Sequence, residues 1–437
     1  MRSAERFLLA AKRCEIVSLE QLALTCELVS VVSELVHQLQ RERGVSNVFL
    51  VSDGLRFSDR RLLQIKDTDA AVLVVRQHFE RLDCDTANFS CGGVRLFNRI
   101  AWVLHGLDLL QDLRQQTAAF KVSPDDATTA FSRLIGGLLA VVFEAADTAA
   151  DPVVTRLLVA MFNFMQGKEL AGQERACLAS GFASGYLSLD QQHRLQHLIE
   201  SQARCFDIFT EFAPAPILQD WHQLCHDDVS QEIARLRQVA TRSTAQSPVP
   251  SGVSELWFEL ASNRIDAMKG IDDQLAQALR HLCTDKIEAA RKDLQEHQQS
   301  LDGLTRGQDQ MLSPGTLMLA PTGAGLESLA AGLESFSADG MSPALGRSVF
   351  DLVQAQAQRL QAIGDELNEA RRALHERKLI ERAKGLLMEH QGLSEEQAYR
   401  LMRQTAMQQS RRLADVAETL LNLTDLLQSK SYATKAE

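Results

Sequence analysis

The feature that most constrains this chain is a helical spacing of apolar residues that continues over long stretches. Between residues 19 and 51, apolar side chains recur every three or four positions, as at Leu28, Val32, Leu35 and Leu39, which is the spacing of one face of an α-helix. The same spacing returns after short breaks as far as about residue 290. That gives about eight helices, which pack naturally as two four-helix bundles. We therefore predict an all-α fold.

Past residue 290 the pattern changes twice. Residues 301–345 are rich in Gly, Ser and Pro and are typical of a linker; a GAG within them follows no predicted strand and precedes no GK[ST], so a nucleotide-binding loop is not expected. From Arg347 to His390 heptad-like spacing returns, which fits a coiled coil of a homodimer and equally a helix packed on its own chain. We predict three regions: a helical region at 1–290, a linker with a connecting helix at 291–375, and a small three-helix C-terminal domain at 376–430.

Composition and cysteine usage limit the functional classes. Eight cysteines are scattered among 437 residues without a C-x-x-C pair, which indicates reduced core residues of a cytoplasmic protein and neither a disulfide framework nor a zinc site. The sequence lacks an uninterrupted apolar run of the length that a membrane-spanning helix needs, so no membrane contact is expected. No metal-ligand cluster, phosphate loop or Ser-His-Asp order stands out, so we expect neither an enzyme nor a bound cofactor.

Three predicted helices each place one arginine on the apolar face: Arg43, Arg175 and Arg264. An unpaired buried charge is costly, so each guanidinium needs a countercharge. Two explanations remain open: the arginines pair with acids of the chain or extend to water, or they converge on a small anion, because a guanidinium offers two parallel donors to a flat oxyanion. The nearby acids in the sequence are Glu42, Glu174 and Asp266.

The motifs around these arginines make the chain resemble the NIT domain over roughly residues 20–285. They read LQRERG, GKELAGQERA and WFELASNRIDAM. The resemblance implies two four-helix bundles that hold nitrate or nitrite between them through arginines. By position, it places the anion on Arg43 and Arg175, with Arg264 as a further ligand. Another small oxyanion stays open as an alternative ligand.

A second set of cations lies in residues 378–421, where the pattern predicts three short helices. The first should end near Gly392, a common stop residue, and Ser394 and Ser410 should cap the next two. Lys384, Arg403, Arg411 and Arg412 fall on exposed positions of these helices. Such charges either face solvent or contact a phosphate backbone.

This C-terminal segment resembles the ANTAR domain across its whole length, through IERAKGLLME, GLSEEQAYRLMRQTAM and RRLADVAETLL. The resemblance implies binding to paired RNA hairpins in transcript leaders, which prevents a terminator from forming. A helix-turn-helix that binds DNA is the alternative use of three such helices. The positions that match the family's RNA-facing residues are Ala383, Lys384, Gly385, Arg403, Ala406, Arg411 and Arg412.

Together the two resemblances imply a one-component regulator of transcription antitermination. Nitrate or nitrite would bind the sensor, and the connecting helix would carry the change to the RNA-binding module. Without the anion, we expect the RNA-binding face to be held against the sensor. With it, the module would bind leader RNA, and nitrate assimilation genes would be read through.

Overall fold

The computed structural model describes residues 2–82, 93–149, 151–244, 247–250, 252–307, 372, 375–388, 390–393, 395–409 and 411–421. The described part of the chain consists of helices joined by short turns, and its single β-feature is an isolated bridge between Thr244 and Ser247. The predicted all-α class is confirmed. The helices before the C-terminal module are α1 (Arg2–Val51), α2 (Ser58–Arg81), α3 (Gly93–Ala118), α4 (Pro124–Thr148), α5 (Pro152–Ala183), α6 (Leu189–Phe212), α7 (Ala215–His226), α8 (Asp228–Arg242) and α9 (Val253–Gly307).

Local sequence signals set several helix starts. Ser123 caps α4 by accepting from the backbone N–H of Asp126, and a proline occupies the first turn. At α6, Ser188 and Gln191 form a reciprocal capping box. These side chains satisfy backbone donors that the first helical turn leaves without an intrahelical acceptor.

The chain divides into two compact units. The smaller one contains the first part of α1 and the last part of α9, which are joined by ion pairs between Lys12 and Asp293 and between Glu20 and Arg291. The larger unit contains the rest of both helices, most of α2 to α8, and the C-terminal module. All the sites described below lie within this larger unit.

Within the larger unit, α1 contacts each of the next three helices. Gln64 of α2 donates to Gln38, and Asn47 donates to Thr128 of α4. Arg114 of α3 pairs with Glu42 at 2.7 Å. These contacts group α1 with α2, α3 and α4, which supports the first predicted four-helix bundle.

A separate apolar cluster unites α5, α6, α8 and α9, which supports the second predicted bundle. Trp257 of α9 is 1% exposed, packs edge-on against Phe182 of α5, and donates its indole N–H to the backbone oxygen of Arg175. Burying such large side chains supplies much of the stability of a helical core. The other members include Leu178, Leu195, Ile233, Leu236 and Ala261.

The C-terminal module contains three short helices, as predicted. We call them α10 (375–388), α11 (Glu395–Gln408) and α12 (413–421). Gly392 has a φ of +65° and donates to the backbone oxygen of Met388, which is the left-handed stop that a glycine makes easily. The shared core comprises Ala383, Leu387, Ala398, Met402, Ala417 and Leu421.

Three predictions fall outside the described residues. They are the linker at 301–345 beyond Gly307, the connecting helix that should begin near Arg347, and the capping roles of Ser394 and Ser410. The helix α9 continues through residue 290, where the sensor region was expected to end.

Two helical segments are long and apolar enough to cross a membrane by length and composition alone, Leu9–Val51 and Pro124–Asp147. Both bury side chains within the protein, such as Val32 and Leu138, each with 0% exposure. Core helices of a folded protein meet the same criterion, and we assign both segments to the helical core.

Candidate anion site and RNA-binding module

Arg43 on α1 and Arg175 on α5 lie side by side, each against a glycine of the other helix. A Cβ atom added to Gly44 would lie 2.5 Å from Nη2 of Arg175, and one added to Gly172 would overlap Nη2 of Arg43 in the same way. Both arginines are buried, with 2% and 5% exposure. The absence of two side chains therefore makes room for two guanidinium groups between the helices.

Arg43 has a carboxylate partner within the protein. Its Nη1 donates to Glu169 at 2.5 Å and to the hydroxyl of Ser132 at 2.8 Å, and its Nη2 donates to Glu169 at 3.2 Å. Glu169 is itself 2% exposed. For Arg43, the structure therefore shows the first of the two explanations, pairing with an acid of the chain, but the acid comes from α5 and is distant in sequence.

The acids adjacent to these arginines in sequence pair with other residues. Glu42 accepts from Arg114 at 2.7 and 2.9 Å. Glu174 accepts from Arg237 at 2.6 Å on both carboxylate oxygens. Neither acid is therefore available to balance Arg43 or Arg175.

Arg175 donates only to neutral acceptors among the described residues. Nη1 donates to the hydroxyl of Ser262 at 2.9 Å, Nη2 donates to the backbone oxygen of Gln40 at 3.1 Å, and the guanidinium lies 5.0 Å from the centre of the Phe258 ring. Burial and then the neighbouring Arg43 lower the pKa of Arg175 to about 10. The side chain therefore stays charged at neutral pH in a place where a charge is unfavourable.

The buried cluster of Arg43, Arg175 and Glu169 has one positive charge in excess, which Asp266 offsets only by a longer-range attraction to Arg175. Its hydrogen bonds also involve Gln40, which donates to Glu169 at 2.9 Å. Because an uncompensated buried charge is costly, this cluster favours one additional negative charge. A single monovalent anion would supply it.

Arg264, the third predicted ligand, lies apart from this pair. Its charge interacts mainly with Arg237, Glu174, Cys225 and Asp227, and its Nε atom is buried with no hydrogen-bond partner in the described structure. Burial, followed by Arg237, lowers the pKa of Arg264. Ser262, which contacts Arg175, is two positions away and so on a different side of α9. The structure therefore brings two of the three arginines together.

The predicted RNA-binding residues divide into buried and exposed members. Ala383 is 0% exposed in the core of the module, and Lys384 and Ala406 are each 7% exposed. The prediction that Lys384 is exposed is wrong, because its side chain is buried and pairs with Glu381 at 2.9 Å. The exposed members are Gly385, Arg403, Arg411 and Arg412.

The face of α11 lies against α6 of the sensor. Arg403 forms an ion pair with Glu200, and the ring of Tyr399 lies 5.2 Å from His197 and 4.5 Å from the guanidinium of Arg204. A cavity of about 620 Å³ between them is lined by Glu200, Arg204, Tyr399, Arg403, Ala406 and Arg411. Part of the predicted RNA-binding face is therefore covered in this arrangement.

The first turn of α10, at the start of the module, also contacts the sensor. Arg377 donates to the side-chain oxygen of Asn163 on α5 at 2.9 Å, and Lys378 pairs with Asp147 on α4 at 3.3 Å. The module thus contacts α4, α5 and α6. The helix α5 carries Asn163 and the anion-site residues Glu169 and Arg175, so one element joins the two sites.

A model of the NIT family, described as nitrate and nitrite sensing, matches residues 34–280, which is more than half of the 437-residue chain. The chain belongs to the NIT family. A model of the ANTAR domain matches residues 368–421 of this NIT protein. The two predicted family resemblances are therefore confirmed.

The NIT protein is similar to known proteins over nearly its whole length. It is 33% identical over 417 residues to a nitrate regulatory protein of Klebsiella oxytoca, covering 95% of this chain and 94% of that protein. It is also similar to the structure of the NasR transcription antiterminator, with a TM-score of 0.57 and 31% identity over 96% of this chain and 99% of that chain. A sensor domain joined to an RNA-binding domain makes the NIT protein a regulator.

Several residues of the candidate site in the NIT protein were not predicted from the sequence. They are Glu169, Ser132, Gln40 and Ser262, each of which accepts a hydrogen bond from one of the two arginines. Glu169 lies within the quoted motif GKELAGQERA, but its partner is on another helix. Only the packing of α1, α4, α5 and α9 brings these residues together.

Proposed function

We propose that this protein is a one-component regulator in which nitrate or nitrite, bound at Arg43 and Arg175, controls transcription antitermination through the ANTAR module. The observation that carries this proposal is a buried cluster in which two arginines share one buried carboxylate, that of Glu169. Arg175 is 5% exposed and donates to neutral oxygens in the described structure. A site of this kind binds a small anion because the anion supplies a negative charge beside a guanidinium that water cannot solvate.

The chemistry of the pair favours a flat, monovalent oxyanion. A guanidinium presents parallel N–H donors that match two oxygens in one plane. Nitrate and nitrite both meet that requirement. Arg264, which lies near Arg237 and Cys225, should influence affinity less than Arg43 or Arg175.

The contacts of the ANTAR module support a closed state without the anion. Arg403 and Tyr399 lie against α6, and Arg377 contacts α5. Anion binding shifts α5 relative to α1 and weakens these contacts, which frees the module. The freed module binds paired hairpins of a leader RNA in the cytoplasm and prevents termination ahead of nitrate assimilation genes. Ala383, Lys384, Gly385, Arg403, Ala406, Arg411 and Arg412 form or support the RNA surface.

Thermodynamic linkage gives a strict requirement for this function. If nitrate tightens RNA binding by some factor, RNA must tighten nitrate binding by the same factor. Calorimetric titration of nitrate into the full chain, with and without a hairpin-containing leader RNA, measures both sides. Competition with a DNA duplex separates RNA recognition from the alternative of a DNA-binding helix-turn-helix.

The variant Arg175→Ala tests the site, because its removal leaves no carboxylate unpaired in the described structure. We expect at least a hundredfold loss of nitrate affinity and loss of the nitrate effect on RNA binding, with helical content unchanged. Arg264→Ala is the matched control and should retain most of the affinity. Normal nitrate binding by Arg175→Ala would refute the proposed site.

A further inference from the structure

Glu169 has the shape and the contacts of a bound oxyanion. Its two carboxylate oxygens accept from both terminal nitrogens of Arg43, and they also accept from Gln40 at 2.9 Å and Gln173 at 3.0 Å. A carboxylate and a nitrate both present two oxygens in one plane to such donors. Any flat oxyanion that uses Arg43 must therefore share or take hydrogen bonds that Glu169 now receives.

We propose that Glu169 is an internal competitor that sets the affinity of the anion site. This inference rests on the proposed function. Arg43 and Arg175 favour anion binding, and Glu169 is a residue that opposes it. In the structure, Glu169 accepts hydrogen bonds from both terminal nitrogens of Arg43. The incoming anion binds Arg175, takes at least one Arg43 hydrogen bond from Glu169, and completes the charge balance of the cluster.

Glu169 has space into which it can turn when it gives up that hydrogen bond. It lines a cavity of about 1360 Å³ together with Ser132, Arg133 and Gln173. The side chain of Arg133 is exposed, so a cation stands on the wall of that cavity. A carboxylate that turns toward it keeps a favourable electrostatic environment, and this lowers the cost of yielding Arg43.

The same cavity continues to the RNA-binding module. Arg377, Lys378 and Lys384 also line it. A carboxylate oxygen of Glu169 that gives up its hydrogen bond to Arg43 therefore turns toward a space shared with α10, while Glu169 stays beside Arg43. The movement of Glu169 has a second effect, because it changes the electrostatic field at the start of the module when the anion binds.

The competitor has a matched control five residues further along α5. Glu174 is 2% exposed, as Glu169 is, and it also accepts from two nitrogens of one arginine, in this case Arg237. The two acids differ in location, because only Glu169 contacts Arg43. Loss of either charge perturbs the fold to a similar degree, but only one loss should alter anion binding.

The test is calorimetric titration of sodium nitrate into the full-length wild type, Glu169→Gln and Glu174→Gln. The amide keeps the size of the carboxylate and removes its charge. We expect Glu169→Gln to bind nitrate at least tenfold more tightly, because a nearby like charge is removed from a poorly solvated site, and Glu174→Gln to stay within about threefold of the wild type. Should Glu169→Gln fail to fold, Glu169→Asp gives the same test, since the shorter acid competes less well and should also bind nitrate more tightly.

Unchanged or weaker nitrate binding in the Glu169 variants would overturn the proposal and leave Glu169 as a support for Arg43. That result would not affect the proposed function, provided that the wild type binds nitrate and Arg175→Ala does not. Failure of the wild type itself to bind nitrate or nitrite would refute both.

Discussion

The sensor and the RNA-binding module use arginine in opposite ways. In the sensor, Arg43 and Arg175 are 2% and 5% exposed. In the module, the side chains of Arg403 and Arg412 are 49% and 69% exposed. Burial makes each hydrogen bond strong and each missing partner costly, which suits one small ion. Exposure makes each contact weak but additive, which suits a polymer with many phosphates.

The largest expected difference concerns stability. Arg43→Ala should lower the free energy of unfolding by about 3–5 kcal/mol, because it leaves Glu169 buried without its cation. Arg403→Ala removes an exposed pair with Glu200 and should cost about 1 kcal/mol or less. Urea denaturation followed by circular dichroism compares the two variants. Equal losses would mean that burial does not distinguish the two regions.

The close approach of the arginines to glycines gives a second contrast. Gly172→Ala places a methyl group against Arg43 and should weaken nitrate binding at least tenfold. Gly270→Ala on α9 adds a methyl group with no neighbour within 4 Å, so it should leave nitrate binding unchanged and stabilise the helix by up to about 1 kcal/mol. Calorimetry and thermal denaturation measure the two effects, and equal nitrate affinities would contradict the crowded geometry at Gly172.

The buried residue His37 on α1 predicts that the stability of the fold depends on pH. Burial, followed by Lys168, Lys269, Arg41 and Arg175, lowers the pKa of His37 to about 2. The unfolded chain takes up a proton at this histidine below about pH 6.5 and the folded chain does not. His37 therefore lowers stability as the pH falls below about 6.5, by about 1.4 kcal/mol per pH unit.

The variant His37→Gln should remove this dependence from the difference between pH 7 and pH 5.5 unfolding curves. His105→Gln is the control, because His105 is exposed on α3. A His37 variant with the same acid sensitivity as the wild type would show that the imidazole is accessible to protons in the folded state.

The smallest effect concerns the salt dependence of RNA binding. Arg411→Ala should reduce the slope of log affinity against log salt by about 0.7 to 0.9, the contribution of one phosphate contact. Nitrate affinity of the same variant should not change. Arg235→Ala on α8, a side chain 73% exposed, is the control, and an unchanged slope for Arg411→Ala would remove that residue from the RNA surface.

The sequence was sufficient for the fold class and for the buried positions of Arg43 and Arg175, because apolar spacing along one helix is a local property. It was not sufficient for the partner of Arg43, because Glu169 is 126 residues away and meets it only through the packing of α1 on α5. The same limit explains Arg264, which the pattern placed near the apolar face of α9 but could not assign to a neighbouring helix. The burial of Lys384 was also missed, because it depends on how α10 packs against the rest of the protein, which the periodicity of a single helix does not determine.

The crossed contacts of the two arginines with opposing glycines have a mechanical consequence. Each guanidinium lies against a glycine backbone of the opposite helix, so the pair fixes the distance between α1 and α5 at two points. At one point the arginine comes from α1, and at the other it comes from α5. If one helix slides along the other, both arginine–glycine contacts change together. In the proposed function, an anion that binds between the arginines would therefore move one helix along the other, and α5, with its 32 residues, would carry that movement to residues far from the anion.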